Sequence, residues 1–165
     1  MSPPANSDLI SITGPSIRGT PASGRRAVQR IWYINVLVVD DDAADSSLIT
    51  HALQLNEGVA AVRALANPGD ALRQLASGQI DPDLVLLDLH MPQIDGFEFL
   101  RRMREIPALK TTPVVFLTSS ARLRDAATAR DSTAVFYIIK PDTYSGLKAR
   151  LDLMVKRTIS GGWKT

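Results

Sequence analysis

Five short, unbroken apolar runs separated by stretches of helical periodicity leave this chain few architectures to adopt. The runs are Val36-Leu37-Val38-Val39, Val59–Leu65, Leu84-Val85-Leu86-Leu87, Val114-Val115-Phe116-Leu117 and Val135–Ile139. A strand with one wet face alternates apolar and polar residues, whereas a strand covered on both faces is apolar throughout, so these runs predict a buried parallel sheet. Parallel neighbours need crossover connections, and the intervening segments supply helices for them. Leu48, Ile49, Ala52 and Leu53 form one stripe, Leu72, Leu75 and Ala76 a second, and Phe99, Leu100 and Met103 a third. Residues 122–130 are alanine-rich and weakly apolar, and Leu147, Leu151, Met154 and Val155 stand at i, i+4, i+7 and i+8. Five β-then-α units in succession predict a doubly wound α/β domain of five strands and five helices.

Composition sets the limits of that domain. The 165 residues are 45% hydrophobic, enough for one core and too few for two ordinary ones. Residues 1–33 hold Pro3, Pro4, Pro15 and Pro21 among Gly, Ser and Thr, and carry four arginines against Asp8, a net +3. The remainder holds 15 bases and 16 acids, so the overall +2 belongs to the N-terminal segment. We expect a flexible extension over 1–33, a folded domain over 34–159 and a short tail over 160–165, with no room for an output domain after the last helix. The absence of cysteine excludes disulfides, thiolate metal sites and a cysteine nucleophile. No apolar stretch reaches the ~20 residues of a membrane span and no secretory signal pattern opens the chain, which reads as soluble and cytoplasmic. The basic residues lie in a Pro/Gly-rich segment without aromatic interleaving, so neither nucleic acid nor membrane is expected as a partner.

In an open parallel sheet, ligands bind beyond the carboxyl ends of the strands, so the residues that follow each run carry the chemistry. These are Asp40, Asp41 and Asp42 after the first run, Asp88 after the third, Thr118 and Ser119 after the fourth, and Lys140-Pro141 after the fifth. Asp42 also stands where the N-cap of a helix starting near Ala43 belongs. Converging carboxylates repel unless a cation joins them, and an oxygen-only ligand set suits a hard ion such as Mg²⁺. A phosphoryl group on Asp88 would then find partners for its oxygens in the metal, the Lys140 ammonium and the Thr118 hydroxyl, with Asp88 as nucleophile.

These residues, in this order, resemble the receiver domain of two-component response regulators. The motifs are Val38-Val39-Asp40-Asp41, Leu86-Leu87-Asp88-Leu89-His90-Met91-Pro92, Asp95-Gly96, Leu117-Thr118-Ser119 and Tyr137-Ile138-Ile139-Lys140-Pro141, and the resemblance covers residues 34–159. It implies a flavodoxin-like sheet of order 2-1-3-4-5. It also implies Asp88 as phosphoacceptor, Asp40 and Asp41 as the acidic pair with Asp41 the direct Mg²⁺ ligand, and a further ligand from the His90 main-chain carbonyl. Thr118 matches the switch hydroxyl, Lys140 the phosphate-pairing lysine and Tyr137 the aromatic switch position. His90 and Ser120 occupy the two positions that tune acyl-phosphate lifetime, and the short Ser120 side chain suggests a state that is not unusually brief. The Lys140–Pro141 bond is often cis in the family.

The implied partner is a sensor histidine kinase or a histidine phosphotransfer protein, with an unidentified downstream protein target and either a monomer or a homodimer as the assembled state. The readout face would be residues 122–130, the fifth strand and the last helix, whose Leu151, Met154 and Val155 suit a core or a dimer seam. No turnover substrate is expected. Two other readings compete: a degenerate receiver that serves as a phosphorylation-independent interaction module, and a haloacid-dehalogenase-like phosphatase built on the Asp-x-Asp of 40–42. Deleting residues 1–33 is expected to leave the thermal midpoint within about 2 °C of the full chain, a shift under ~1 kcal/mol for a domain this size. A larger drop in differential scanning calorimetry would show the segment to be part of the fold.

Overall fold

The computed structural model describes residues 32–119 and 135–163. Five parallel strands form one sheet in the order β2-β1-β3-β4-β5: β1 Ile34–Val39, β2 Val59–Leu65, β3 Leu84–Asp88, β4 Val114–Thr118 and β5 Val135–Ile139. Four α-helices are described: α1 Ala43–Gln54, α2 Pro68–Ala76, α3 Gly96–Glu105 and α4 Tyr144–Ser160. The helix expected over residues 122–130 lies outside the described residues. No described helix is long and apolar enough to cross a membrane.

Local chemistry starts each helix. Asp42 caps α1 by accepting from the Ala44 and Asp45 amides, Asn67 caps α2 with Pro68 in the first turn, Asp95 caps α3, and Thr143 caps α4. Gly161 closes α4 in the left-handed region at φ 66°, where an L side chain would be strained. Trp163, expected in the tail, packs edge-on against Phe136 with ring centroids 4.5 Å apart and donates from Nε1 to Thr158 Oγ1 at 3.0 Å.

The strands divide their side chains by parity. Ile34, Val36, Val38, Leu84, Leu86, Val115, Leu117 and Ile138 face α1 and α4, against Ile49, Leu53, Leu147, Leu151 and Val155. Leu37, Val39, Val85, Leu87, Val114 and Phe116 face α2 and α3, against Ala71, Leu75, Phe99, Leu100 and Met103. Complete burial of Phe99 and Phe116 contributes roughly 1.5–3 kcal/mol each. All four members of the α4 stripe are core residues, so Leu151, Met154 and Val155 do not supply a dimer seam.

Three sequence expectations need correction. Leu48 turns outward at 48% exposure, leaving Ile49, Ala52 and Leu53 as the buried stripe of α1. In α2 the buried residues are Pro68, Ala71 and Leu75, while Leu72 is half-buried and Ala76 is exposed. Strand β2 forms the sheet edge and is only partly covered, because it has a neighbour on one side alone.

The turn from β3 into α3 has no spare volume. The Gly96 amide donates to Leu89 O at 3.0 Å, and a Cβ on Gly96 would meet Asp88 O at 2.7 Å and Phe116 Cε1 at 2.8 Å. Gly96→Ala is therefore expected to destabilise the domain by about 1–3 kcal/mol through overpacking. Urea unfolding measures this, and an unchanged midpoint would contradict the close approach.

Candidate functional site

Strand parity carries the core pattern into the site. Asp88 ends β3 on the same face as Leu84 and Leu86, and Asp40 and Lys140 follow Val38 and Ile138 on that face. Thr118 ends β4 on the opposite face, the one that bears Phe116. All four sit at the carboxyl edge of the sheet, where the main chain fixes them. The Asp40 amide donates to Leu65 O at 3.2 Å, and the Lys140 amide donates to Thr118 O at 2.8 Å.

Asp40, Asp41 and Asp88 each offer a carboxylate oxygen within 4.8 Å of the others. Asp40 is buried, Asp41 exposed, and the Asp88 side chain is 11% exposed. Asp40 Oδ1 accepts from the Asp42 amide at 2.9 Å and Asp88 Oδ2 from the His90 amide at 3.1 Å, which orients both carboxylates. The Lys140 ammonium bridges the cluster, 2.8 Å from Asp40 Oδ2, 2.6 Å from Asp45 Oδ2 and 3.6 Å from Asp88 Oδ1. Burial of Asp88 raises its carboxyl above the usual range; Lys140 and the His90 amide act against this, while Asp40 and Asp41 add to it. For Lys140, burial acts downward, yet the hydrogen bonds to Asp40 and Asp45 and the charges of Asp40 and Asp88 leave the ammonium above its ordinary value. Lys140 is a fixed cation at neutral pH.

Three oxygen donors that repel one another and lack a nitrogen or sulfur companion fit a hard divalent cation. Asp42, by contrast, is spent on capping α1. The Asp-x-Asp reading is not favoured: Asp88, to which the phosphatase reading gives no role, lies in the cluster, and Asp42 has a structural task.

Tyr137 lies on β5 in register with Phe116, its ring stacked on that of Phe116 at 5.3 Å between centroids. Phe116 in turn meets Phe97 edge-on at 5.2 Å. The Tyr137 hydroxyl is buried and makes no hydrogen bond among the described residues, and burial raises its pKa. The Lys140–Pro141 bond, often cis where the resemblance points, is trans here. His90 is exposed on the loop after β3, and Ser120 lies outside the described residues. Sequence reasoning missed Asp45. Its position in the first turn of a capped helix was the available signal, but nothing in the sequence places it against Lys140, 95 residues away.

The fold and the site together define a doubly wound parallel α/β domain with a lysine-bridged acidic pocket at the carboxyl edge of its sheet. Residues 36–152 match the response regulator receiver domain, and the chain belongs to that family. It is 32% identical over 124 residues to the DNA-binding dual master transcriptional regulator RpaA of Synechocystis sp., covering 74% of this chain and 49% of that protein. It is 34% identical over 133 residues to protein-glutamate methylesterase/protein-glutamine glutaminase 6 of Anaeromyxobacter dehalogenans, covering 81% of this chain and 35% of that one. The chain thus spans half or less of these curated relatives, and the methylesterase name describes a protein much longer than the matched part. Among solved structures, the phosphorylated cyanobacterial phytochrome response regulator RcpA superposes with a TM-score of 0.69 at 30% identity, covering 78% of this chain and 96% of that one. The Mn²⁺-bound form of response regulator Rcp1 gives 0.65 at 28% identity, covering 73% and 91%.

The raised Asp88 carboxyl has a thermodynamic consequence. The metal-free folded state holds this proton more tightly than the unfolded chain, so stability falls as pH rises from the unfolded carboxylate value through the folded one. Asp88→Asn is therefore expected to raise the melting temperature in EDTA at neutral pH by a few degrees. Mg²⁺ should raise it for wild type and not for the variant. A variant that melts below wild type in EDTA would contradict the account of the cluster.

Proposed function

We propose that this receiver, residues 34–159 with 1–33 as an extension, accepts a phosphoryl group on Asp88 from a phosphohistidine of a sensor histidine kinase or a histidine phosphotransfer protein. One observation carries the reading: Asp40, Asp41 and Asp88 converge within 4.8 Å, with Lys140 3.6 Å from Asp88 Oδ1, at the edge where an open α/β sheet binds its ligand. A carboxylate oxygen of Asp88 attacks phosphorus, the new P–O bond forms as the P–N bond breaks, and the departing electron pair stays on the imidazole nitrogen, which takes up a proton. Asp40, Asp41, Asp88 and the His90 main-chain carbonyl would hold Mg²⁺, Asp41 as the direct ligand of the acidic pair. When bound, the ion supplies positive charge for carboxylate and phosphoryl oxygens that otherwise repel.

The protein's own groups complete the pocket. Lys140 supplies a permanent ammonium for one phosphoryl oxygen, and the Thr118 hydroxyl takes another. On phosphorylation Thr118 moves toward the phosphoryl group, which opens space toward Phe116, and the Tyr137 ring turns into it. The altered face, which includes β5 and α4, is what a downstream protein reads. His90 and Ser120 set the lifetime of the phosphorylated state. Every group of the pocket is present, and this favours signalling over a phosphorylation-independent module. We assign the chain no turnover substrate and a cytoplasmic setting.

Incubation with Mg²⁺ and acetyl phosphate, followed by intact-mass measurement, tests the reading. Wild type is expected to gain one phosphoryl group, Asp88→Asn none, and EDTA to abolish the gain. Failure of wild type to gain mass where a control receiver does, or gain by Asp88→Asn, would sink it.

A further inference from the structure

Lys140 is tied most closely to a residue that the phosphoryl chemistry does not call for. Its ammonium lies 2.6 Å from Asp45 Oδ2 and 2.8 Å from Asp40 Oδ2, both within hydrogen-bond range, but 3.6 Å from Asp88 Oδ1, which is beyond it. The resting ammonium therefore spends its hydrogen bonds on two carboxylates of which neither receives phosphorus. Its backbone is pinned by the bond to Thr118 O, so only the flexible side chain is left to reposition the charge.

The two partners differ in what release would cost. The Asp40 side chain is 3% exposed, and losing its cation would strand a buried charge. The Asp45 side chain is 39% exposed and borders a cavity of about 110 Å³ shared with Leu48, Lys140 and Tyr144, so water replaces the ammonium there at little cost. When a phosphoryl oxygen demands the ammonium, Asp45 is the partner that yields.

We infer that Asp45 is a positioning residue that holds Lys140 off Asp88 in the resting site and so restrains phosphoryl acceptance. The inference rests on the reading of Asp88 as phosphoacceptor. The Asp45–Lys140 contact exists in the unphosphorylated state and is surrendered in the phosphorylated one, so it biases the equilibrium toward the former. The Asp45 carboxylate adds a like charge beside the incoming phosphoryl group, and this acts in the same direction.

An ordinary first-turn acid stabilises its helix through the macrodipole, and removing it would lower the melting temperature alone. The test therefore reads phosphorylation. With limiting acetyl phosphate and saturating Mg²⁺, Asp45→Asn is expected to be phosphorylated roughly threefold to fivefold faster than wild type, and to reach a higher steady-state phosphorylated fraction. Asp45→Ser should behave alike and serves if the amide variant folds poorly, while Asp45→Glu should return to within about twofold of wild type. Asp142→Asn removes a nearby exposed charge without touching Lys140 and should change the rate by less than about twofold. Wild-type rates in both Asp45→Asn and Asp45→Ser, or equal acceleration by Asp142→Asn, would overturn the inference while leaving Asp88 as acceptor. A wild type that gains no phosphoryl group would instead overturn the functional reading itself.

Discussion

The site depends on one electrostatic constraint: several carboxylates share the edge of a sheet with the Lys140 ammonium. Asp40, Asp45 and Asp88 surround Lys140 and Asp41 joins Asp40 and Asp88 in the cluster, so the group carries an excess of negative charge even with the lysine in place. Asp40 is buried and Asp88 nearly so, where repulsion is poorly screened. Such an arrangement persists because the fold holds it, since the carboxylates gain nothing from one another's company. The excess charge also makes the pocket receptive to a divalent cation, which would relieve it.

The holding force comes from the two core layers. Strands β3 and β4 are buried on both faces and β1 is buried apart from Asn35, while the edge strand β5 buries Ile138 and leaves Ile139 exposed, and side-chain parity sets where the last residue of each points. Asp88 follows Leu84 and Leu86, Lys140 follows Ile138, and Thr118 follows Phe116, so a register slip of one residue would exchange core and site together. At Gly96 the α3 backbone lies so close to Asp88 O that no side chain fits between them. The phosphoacceptor strand and the helix that follows it therefore behave as one rigid corner.

What the sequence disclosed follows from the same geometry. Strand-end residues were legible because a continuous apolar run fixes where a strand stops, and the edge of a parallel sheet is where polar groups must gather. Asp40, Asp41, Asp88, Thr118 and Lys140 were found that way. The α4 stripe was legible because four large residues share one phase. In α1 and α2 small residues such as Ala52, Ala71 and Ala76 fit more than one phase, and the true phase is set by tertiary packing, which turns Leu48 outward. Asp45 escaped because its role depends on how α1 is rotated against the end of β5. Local sequence sets the cap at Asp42, but the partner of the residue three positions later is set by the packing of Ile49 and Leu53 beneath it.

The parity of the strands also divides the pocket's outlets. Lys140 points to the α1 and α4 side and meets Asp45 there, whereas Thr118 stands on the α2 and α3 side in line with Phe116, whose ring carries Tyr137. The two are joined at the main chain by the Lys140 amide and Thr118 O. On the proposed reading, one phosphoryl group draws on both side chains at once, so a change at a single strand edge reaches both faces of the sheet. The costs on the two sides differ. On one face an exposed carboxylate exchanges an ion pair for water, worth at most about 1 kcal/mol. On the other, the Tyr137 hydroxyl is buried with no hydrogen-bond partner among the described residues, an arrangement that costs roughly 1–3 kcal/mol and that a rearranged ring would relieve. The resting arrangement is thus held by a weak latch on one side and strained on the other, a balance that a few charge-assisted hydrogen bonds suffice to tip.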